Sequence, residues 1–187
     1  MASSPSTIRL ELIDVSLELQ TDRGVFASSR IDPGTKYLLM EAPRPPAVGD
    51  IVDLGCGYGP IALTMATRSP SAVVWAVDTN RRARELCRAN ADAAGLSNVR
   101  VVAPEEVPDD LVVHAVWSNP PIRIGKPALH DLLREWLGRL SADGVALLVV
   151  QKHLGADSLA RWLAEVGFPT TRRGSRQAYR LLESRRG

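Results

Sequence analysis

From residue 50 onward the hydrophobic period of the sequence switches repeatedly between that of a strand and that of a helix. This alternation limits the fold more than any single residue does. Apolar runs at 50–54, 72–77, 99–102, 112–117 and 145–150 have the length of strands and no polar face. Between them lie segments of helical spacing. Pro60 opens one that runs to Arg68, with proline in a first turn where no N–H is needed. Residues 81–94 form another, closed by Gly95, a residue suited to helix C-termini. Leu129, Leu132, Leu133, Trp136, Leu137 and Leu140 share one helical face, and Leu159, Trp162, Leu163 and Val166 share another. Buried strands alternating with helices predict an α/β fold: a doubly wound, mostly parallel, seven-stranded sheet with helices on both faces. The last stretch reads as an antiparallel hairpin turning near Arg173-Gly174-Ser175.

The N-terminal part is less regular. Residues 1–16 read as a poorly ordered segment, and 17–187 as one domain, a size that suits a single core. Leu17 and Leu19 alternate with polar neighbours as in a half-buried strand, Thr21-Asp22-Arg23-Gly24 makes a turn, and Val25-Phe26-Ala27 returns as a second short strand. Asp32-Pro33-Gly34-Thr35 opens a short helix through Met40. Pro43, Pro45 and Pro46 mark 42–49 as a linker.

Composition narrows the function classes. No apolar run approaches the ~20 residues of a membrane helix, and Met1 to Thr7 lacks the pattern of a secretory signal. Cys56 and Cys87 form no CxxC pair and lie near no histidine cluster, which argues against a metal site and fits a reducing cytoplasm. Net charge is +2, but 170–187 holds six arginines and one glutamate, net +5, leaving the remainder net −3 (17 basic, 20 acidic). A basic C-terminal edge suits a phosphate backbone, and equally a solvated tail in an arginine-rich chain.

The first apolar strand runs into Asp53-Leu54-Gly55-Cys56-Gly57-Tyr58-Gly59-Pro60. Glycines there permit positive φ and close approach of a ligand to the backbone, and the following helix offers free N–H groups. The spacing is GxGxG, not the GxGxxG of dinucleotide sites. A carboxylate at Asp53 would repel a pyrophosphate and suits a cationic amino-acid moiety. The second strand ends in Asp78, followed by Thr79, where an acid can accept both hydroxyls of a ribose. A glycine turn alone is commonplace; strand, glycine loop, helix, strand and terminal Asp together are specific. Together they resemble the class I S-adenosylmethionine (SAM)-dependent methyltransferases, with a Rossmann-like sheet. That resemblance implies SAM as cofactor, held by Asp53, Gly55, Cys56, Gly57, Tyr58, Gly59, Asp78, Thr79 and Asn119.

The fourth strand ends in Ser118-Asn119-Pro120-Pro121-Ile122. It matches the (N/D)PP(Y/F/I) signature of enzymes that methylate planar amino nitrogens. Such a nitrogen has a delocalised lone pair and must pyramidalise to attack a methyl group. The Asn119 side-chain oxygen and the Pro120 carbonyl can accept its two N–H groups, favouring the attacking form and the charge that grows on it. Pro121 and Pro120 stiffen the backbone that aims the carbonyl.

A narrower likeness follows. Asn119 to Lys126 resembles the NPPIRxGK of the small methyltransferase group similar to the catalytic half of RsmC-type 16S rRNA guanine-N2 methyltransferases. Thr21 to Ala27, Ile31 to Thr35 and Gln151 to Ser158 resemble further motifs of that group, so the likeness spans about Leu17 to the C-terminus. It implies guanine N2 of ribosomal RNA as acceptor, rRNA or a ribosomal subunit as partner, and Phe26, Gly34 and Thr35 at the pocket. Arg123 and Lys126 are placed to hold phosphates beside a flipped base contacted by Ile122 and Phe26, with Phe26 or Tyr58 supplying a stacking ring. The chain departs from the group at His114, where an acid is usual, and at Glu105, where a serine-aspartate reaches the adenine. It also shows no counterpart of the degenerate N-terminal half of RsmC proteins. Other readings stay open: a carboxamide methyltransferase on protein glutamine, DNA adenine methylation, a small-molecule acceptor, or a non-catalytic SAM- or ribosome-binding module.

Overall fold

The computed structural model describes residues 6–25 and 29–187. The chain opens with an antiparallel hairpin, β1 (Ser6–Glu11) against β2 (Ser16–Thr21). Residues 6–16, read from sequence as part of a poorly ordered segment, thus form a hairpin with the start of the domain, while 1–5 lie outside the described residues. Ile8 and Leu10 sit opposite Leu19 and Leu17, so the strand exists because β2 supplies an apolar partner for alternate residues. The partner of β2 precedes it; the return strand expected at 25–27 falls on residues 26–28, which, with Phe26, lie outside the described residues.

Five parallel strands follow: β3 (Val48–Leu54), β4 (Ser71–Val77), β5 (Val99–Val102), β6 (Val113–Ser118) and β7 (Leu140–Gln151). The helices are α1 (Pro33–Glu41), α2 (Pro60–Arg68), α3 (Arg81–Ala93), α4 (Lys126–Gly138) and α5 (Ala156–Glu165). A terminal hairpin, β8 (Thr170–Arg176) and β9 (Tyr179–Arg185), completes a seven-stranded sheet in the order β5-β4-β3-β6-β7-β9-β8. In this sheet β9 alone runs opposite to the other six strands. The doubly wound, mostly parallel architecture is as expected.

Two details differ. Leu140 starts β7 and does not extend the face of α4, because the helix stops at Gly138. The hairpin turns at Gln177-Ala178, with Gln177 at φ 52°, and not at Gly174. Gly174 follows a bulge in β8, where an added Cβ would lie 2.6 Å from the Tyr37 hydroxyl oxygen. Its glycine answers a close approach, not a turn.

Alternate strand residues serve two cores. Ile51, Val74, Ala115, Trp117 and Leu147 face α1, α2, α3 and the N-terminal hairpin, while Val52, Val77, Val116 and Leu148 face α4 and α5. Buried Asn90 of α3 bonds both Gln20 backbone groups (2.7 and 2.9 Å) and the Tyr58 carbonyl (2.8 Å), tying the hairpin to the glycine loop. Strand order reverses between β3 and β6, so their carboxyl ends flank the crevice where such sheets bind ligands.

Candidate active site

At the β3 end, the glycine loop is fixed almost wholly through its backbone. The N–H groups of Gly55 and Cys56 both donate to the Val77 carbonyl (2.8 and 3.0 Å), and the N–H of Gly57 donates to Asp78 Oδ2 (2.9 Å). Its three glycines have positive φ for two reasons. At Gly55 (80°) and Gly57 (56°) an added Cβ would meet nothing within 4 Å, so these two border open space. At Gly59 (101°) it would lie 2.7 Å from Leu63 and 2.8 Å from the Cys87 sulfur, so this one serves packing. Cys56 and Tyr58 point into the core beside α3. The adjacent Cys87 thiol, with burial, pushes the Cys56 thiol well up. Burial and the nearby Asp32 charge raise the Tyr58 phenol to about 12. At 2% exposure Tyr58 cannot serve as a stacking ring.

Asp53 is 0% exposed, and its Oδ2 accepts from the Ala62 N–H at 2.8 Å, while Oδ1 has no partner among the described residues. Its direct contact is with the first turn of α2, behind the loop. Burial raises its carboxyl to about 8, against the Ala62 bond. Asp78 sits half-buried at the β4 end. Besides holding Gly57, it accepts from the Asn80 N–H (2.8 Å). Thr79 is exposed, and Arg84 donates to its carbonyl and to that of Asp78.

At the β6 end, buried Ser118 donates to the Leu54 carbonyl (2.6 Å), which locks the two strand ends together. Asn119 follows, half-buried, and its amide is fixed from one side. Nδ2 donates to Asp32 Oδ1 (2.8 Å) and to Thr35 Oγ1 (3.1 Å). The amide oxygen is thereby left to accept from another group. The Pro120 carbonyl accepts from the Ile122 N–H (2.8 Å) across Pro121, whose φ −76° and ψ 72° make an inverse γ-turn. A proline fits that centre because its ring already sets φ. The carbonyl is aimed, and one lone pair stays available.

Past this turn the chain is open to solvent. Arg123 and Lys126 are exposed, and neither forms an ion pair among the described residues. Half-buried Ile122 and Lys126 border a cavity of about 240 Å³, closed by Leu129, His130, Leu154 and Ser158. Glu105 is exposed and His114 is half-buried far down β6, its ring against Gly49 and its Nδ1 unpartnered among the described residues. The arginine-rich terminus does not form one edge. Arg176 and Arg180 lie beside Tyr179, opposite Gln151 at the carboxyl end of β7, whereas Arg173 and Arg185 lie at the far end and pair with Glu183.

Sequence reading missed two residues here. Asp32, read only as the start of a helix, bonds Asn119 from 87 positions away. Tyr179 lies against Gly34, where a Cβ would approach its ring to 2.5 Å, and its hydroxyl accepts from Gln151 (3.1 Å). The Asp-x-Gly-Thr string was the one signal available, and its reach across the fold was not readable.

Comparison with known proteins identifies the family. The family model described as "Methyltransferase small domain" matches residues 16–181. The uncharacterized protein YbxB of Bacillus subtilis is 32% identical over 167 residues, covering 88% of this chain and 83% of its own. Ribosomal RNA small subunit methyltransferase C of Shewanella amazonensis is 28% identical, covering 86% of this chain and 48% of its own. Ribosomal RNA large subunit methyltransferase G of Pseudomonas entomophila is 31% identical over 86% of this chain and 45% of its own. The chain thus spans about half the length of these rRNA methyltransferases. Among solved structures, a 16S rRNA guanine-N2 methyltransferase (RsmC) of T. thermophilus, in complex with AdoMet and guanosine, superposes with a TM-score of 0.83. It is 20% identical, covering 98% of this chain and 51% of that one. The chain belongs to the methyltransferase small-domain family.

Proposed function

We propose that this protein is a SAM-dependent N-methyltransferase that acts on an exocyclic amino group, guanine N2 of ribosomal RNA being the acceptor. The observation that carries the reading is the orientation of Asn119, whose amide nitrogen is engaged by Asp32 and Thr35 and whose oxygen is left as an acceptor.

The loop fits the cofactor. Open space above Gly55 and Gly57, with three glycines at positive φ, is a cradle that side chains would fill. The residues that would hold SAM are Gly55, Cys56, Gly57, Tyr58 and Gly59 through their backbone, Asp78 and Thr79 toward the ribose, and Asn119 at the reacting end. Asp53 contributes from behind, by pinning α2 to the loop. When bound, SAM supplies an electrophilic methyl group on a sulfonium.

The acceptor side is the work of the β6 turn. Asn119 Oδ1 and the Pro120 carbonyl take one N–H each from the amino group, drawing its lone pair out of conjugation. They also stabilise the positive charge that grows on nitrogen, so the surplus proton can leave to water with no strong base. Ser118 and the Pro121 γ-turn hold both acceptors in place before substrate arrives. Ile122 packs beside the base, and Arg123 and Lys126 meet flanking phosphates. The rRNA methyltransferase names among the relatives support an RNA acceptor and a cytoplasmic setting.

The test is transfer of a radiolabelled methyl group from SAM to total RNA, 30S and 50S particles of a strain lacking the gene, followed by nucleoside digestion. Label in N2-methylguanosine is expected. Label in another nucleoside corrects the acceptor atom, and label confined to protein selects the glutamine alternative.

A further inference from the structure

The orientation of Asn119 has to be set by something, because a carboxamide is nearly symmetric in shape. Rotated by 180°, Asn119 would present its NH2 group to the acceptor amine, donor against donor, and the site would fail. The groups that choose between the two orientations lie behind the side chain. Thr35 Oγ1, at 3.1 Å, is indifferent, since a hydroxyl both donates and accepts. Asp32 Oδ1, at 2.8 Å, is not: a carboxylate only accepts, so a flipped amide would set oxygen against oxygen.

Resting on the reading above, we propose that Asp32 is a positioning residue for methyl transfer, clamping the Asn119 amide so that its oxygen faces the acceptor amine. Its own placement is well determined. It is the N-cap of α1, where Oδ1 also accepts from the Thr35 N–H (2.9 Å) and its carbonyl accepts from the Lys36 N–H (2.9 Å). Nine residues of helix point their N-terminal dipole at the carboxylate. Gly34 leaves no slack beside it, since a Cβ there would stand 3.0 Å from Asp32 Oδ1 and 2.5 Å from the Tyr179 ring. One oxygen thus caps the start of a helix and aims a side chain just past a strand end, 87 residues away. The negative charge also polarises the amide toward Oδ1, strengthening the acceptor that meets the developing ammonium.

A bare capping role accounts for the Thr35 N–H bond and not for the Asn119 bond, and substitutions separate the two. Serine caps helices well but is one carbon shorter, so Asp32→Ser keeps the helix and loses the reach. Asp32→Asn can present one amide oxygen to both donors and loses only the charge. The expected order of kcat is wild type, then Asp32→Asn within about tenfold, then Asp32→Ser and Asp32→Ala lower by about 100-fold, as misaimed groups typically cost. SAM affinity stays within a few-fold throughout. Asp32→Ser turning over like wild type, or Asp32→Asn no faster than Asp32→Ser, overturns the proposal.

A second readout needs no acceptor. In 15N-labelled protein the Asn119 side-chain NH2 pair, identified by its loss in Asn119→Asp, should exchange slowly in wild type and fast in Asp32→Ser. Equal exchange in the two overturns the clamp whatever the substrate. Slowed exchange in a protein that methylates no acceptor would uphold the clamp and sink the functional reading instead.

Discussion

The glycine loop and the Asn-Pro-Pro turn stand side by side at the carboxyl ends of β3 and β6, yet they are built differently. The loop is sewn to its neighbour strand by three backbone donors, and Cys56, Tyr58, Gly59 and Pro60 are buried. The turn is fixed only at its root. Asn119 and Pro120 are held by Ser118, Asp32, Thr35 and the γ-turn, and Pro121 and 123–126 lie open to solvent. A small, invariant ligand can be met by a finished backbone surface. A large polymer needs an exposed margin that its own phosphates and bases complete. Under the proposed function, the closed region takes the cofactor and the open one the acceptor.

Breaking the loop should be the costlier intervention for cofactor binding. Asp78→Ala removes a carboxylate that also anchors Gly57 and Asn80, so SAM affinity by calorimetry should fall about 10- to 100-fold, the worth of one or two charge-assisted bonds. Unchanged affinity would remove Asp78 from the ribose site. Gly59→Ala drives a Cβ into Leu63 and Cys87 at φ 101°, and should destabilise the fold by about 2 kcal/mol in urea unfolding. Gly55→Ala meets no such contacts and should cost about 1 kcal/mol of stability from its backbone angle alone, while impairing SAM binding. On the open side, Arg123→Ala with Lys126→Ala should leave the melting temperature alone and raise the KM for RNA about tenfold at low salt, with a shallower salt dependence.

The smallest effect concerns pH. Asp53 keeps its proton in the folded state up to about 8, whereas the unfolded carboxyl loses it in the ordinary acidic range. Stability from this group is complete at low pH and is lost as pH climbs to about 8, with a slope of at most about 1.4 kcal/mol per pH unit. Urea unfolding of the ligand-free protein at pH 6 and pH 8 should show that decline, and Asp53→Asn should flatten it. An identical decline in the variant would place its origin elsewhere.

How much of this was readable in the chain depended on sequence distance. The β3–α2–β4–α3–β5 run is local: period, proline and glycine fix each element within its own residues, and helix ends at Pro60, Arg68 and Gly95 fell where expected. Strand β1 was missed because one strand with two inward apolar residues, Ile8 and Leu10, acquires meaning only from β2 opposite it. The hairpin turn was misplaced because Gly174 advertises a turn and serves instead the approach of Tyr37. In the site, the glycine loop and Asn119 were legible as motifs, but Gly59 looked like Gly55 and Gly57, which border open space, until Cys87 was seen beneath it. The partners that aim Asn119 come from a helix far upstream, and no local pattern announces them.

The division between loop and turn is tested most directly by Asn119→Ala, with SAM binding measured by calorimetry and methyl transfer by single-turnover assay on the same preparation. The account predicts transfer reduced by at least about 100-fold, the usual cost of losing one preorganised partner of transition-state charge, with SAM affinity within a few-fold of wild type. Transfer that persists, or a loss of SAM affinity that accounts for the lost transfer, would contradict it.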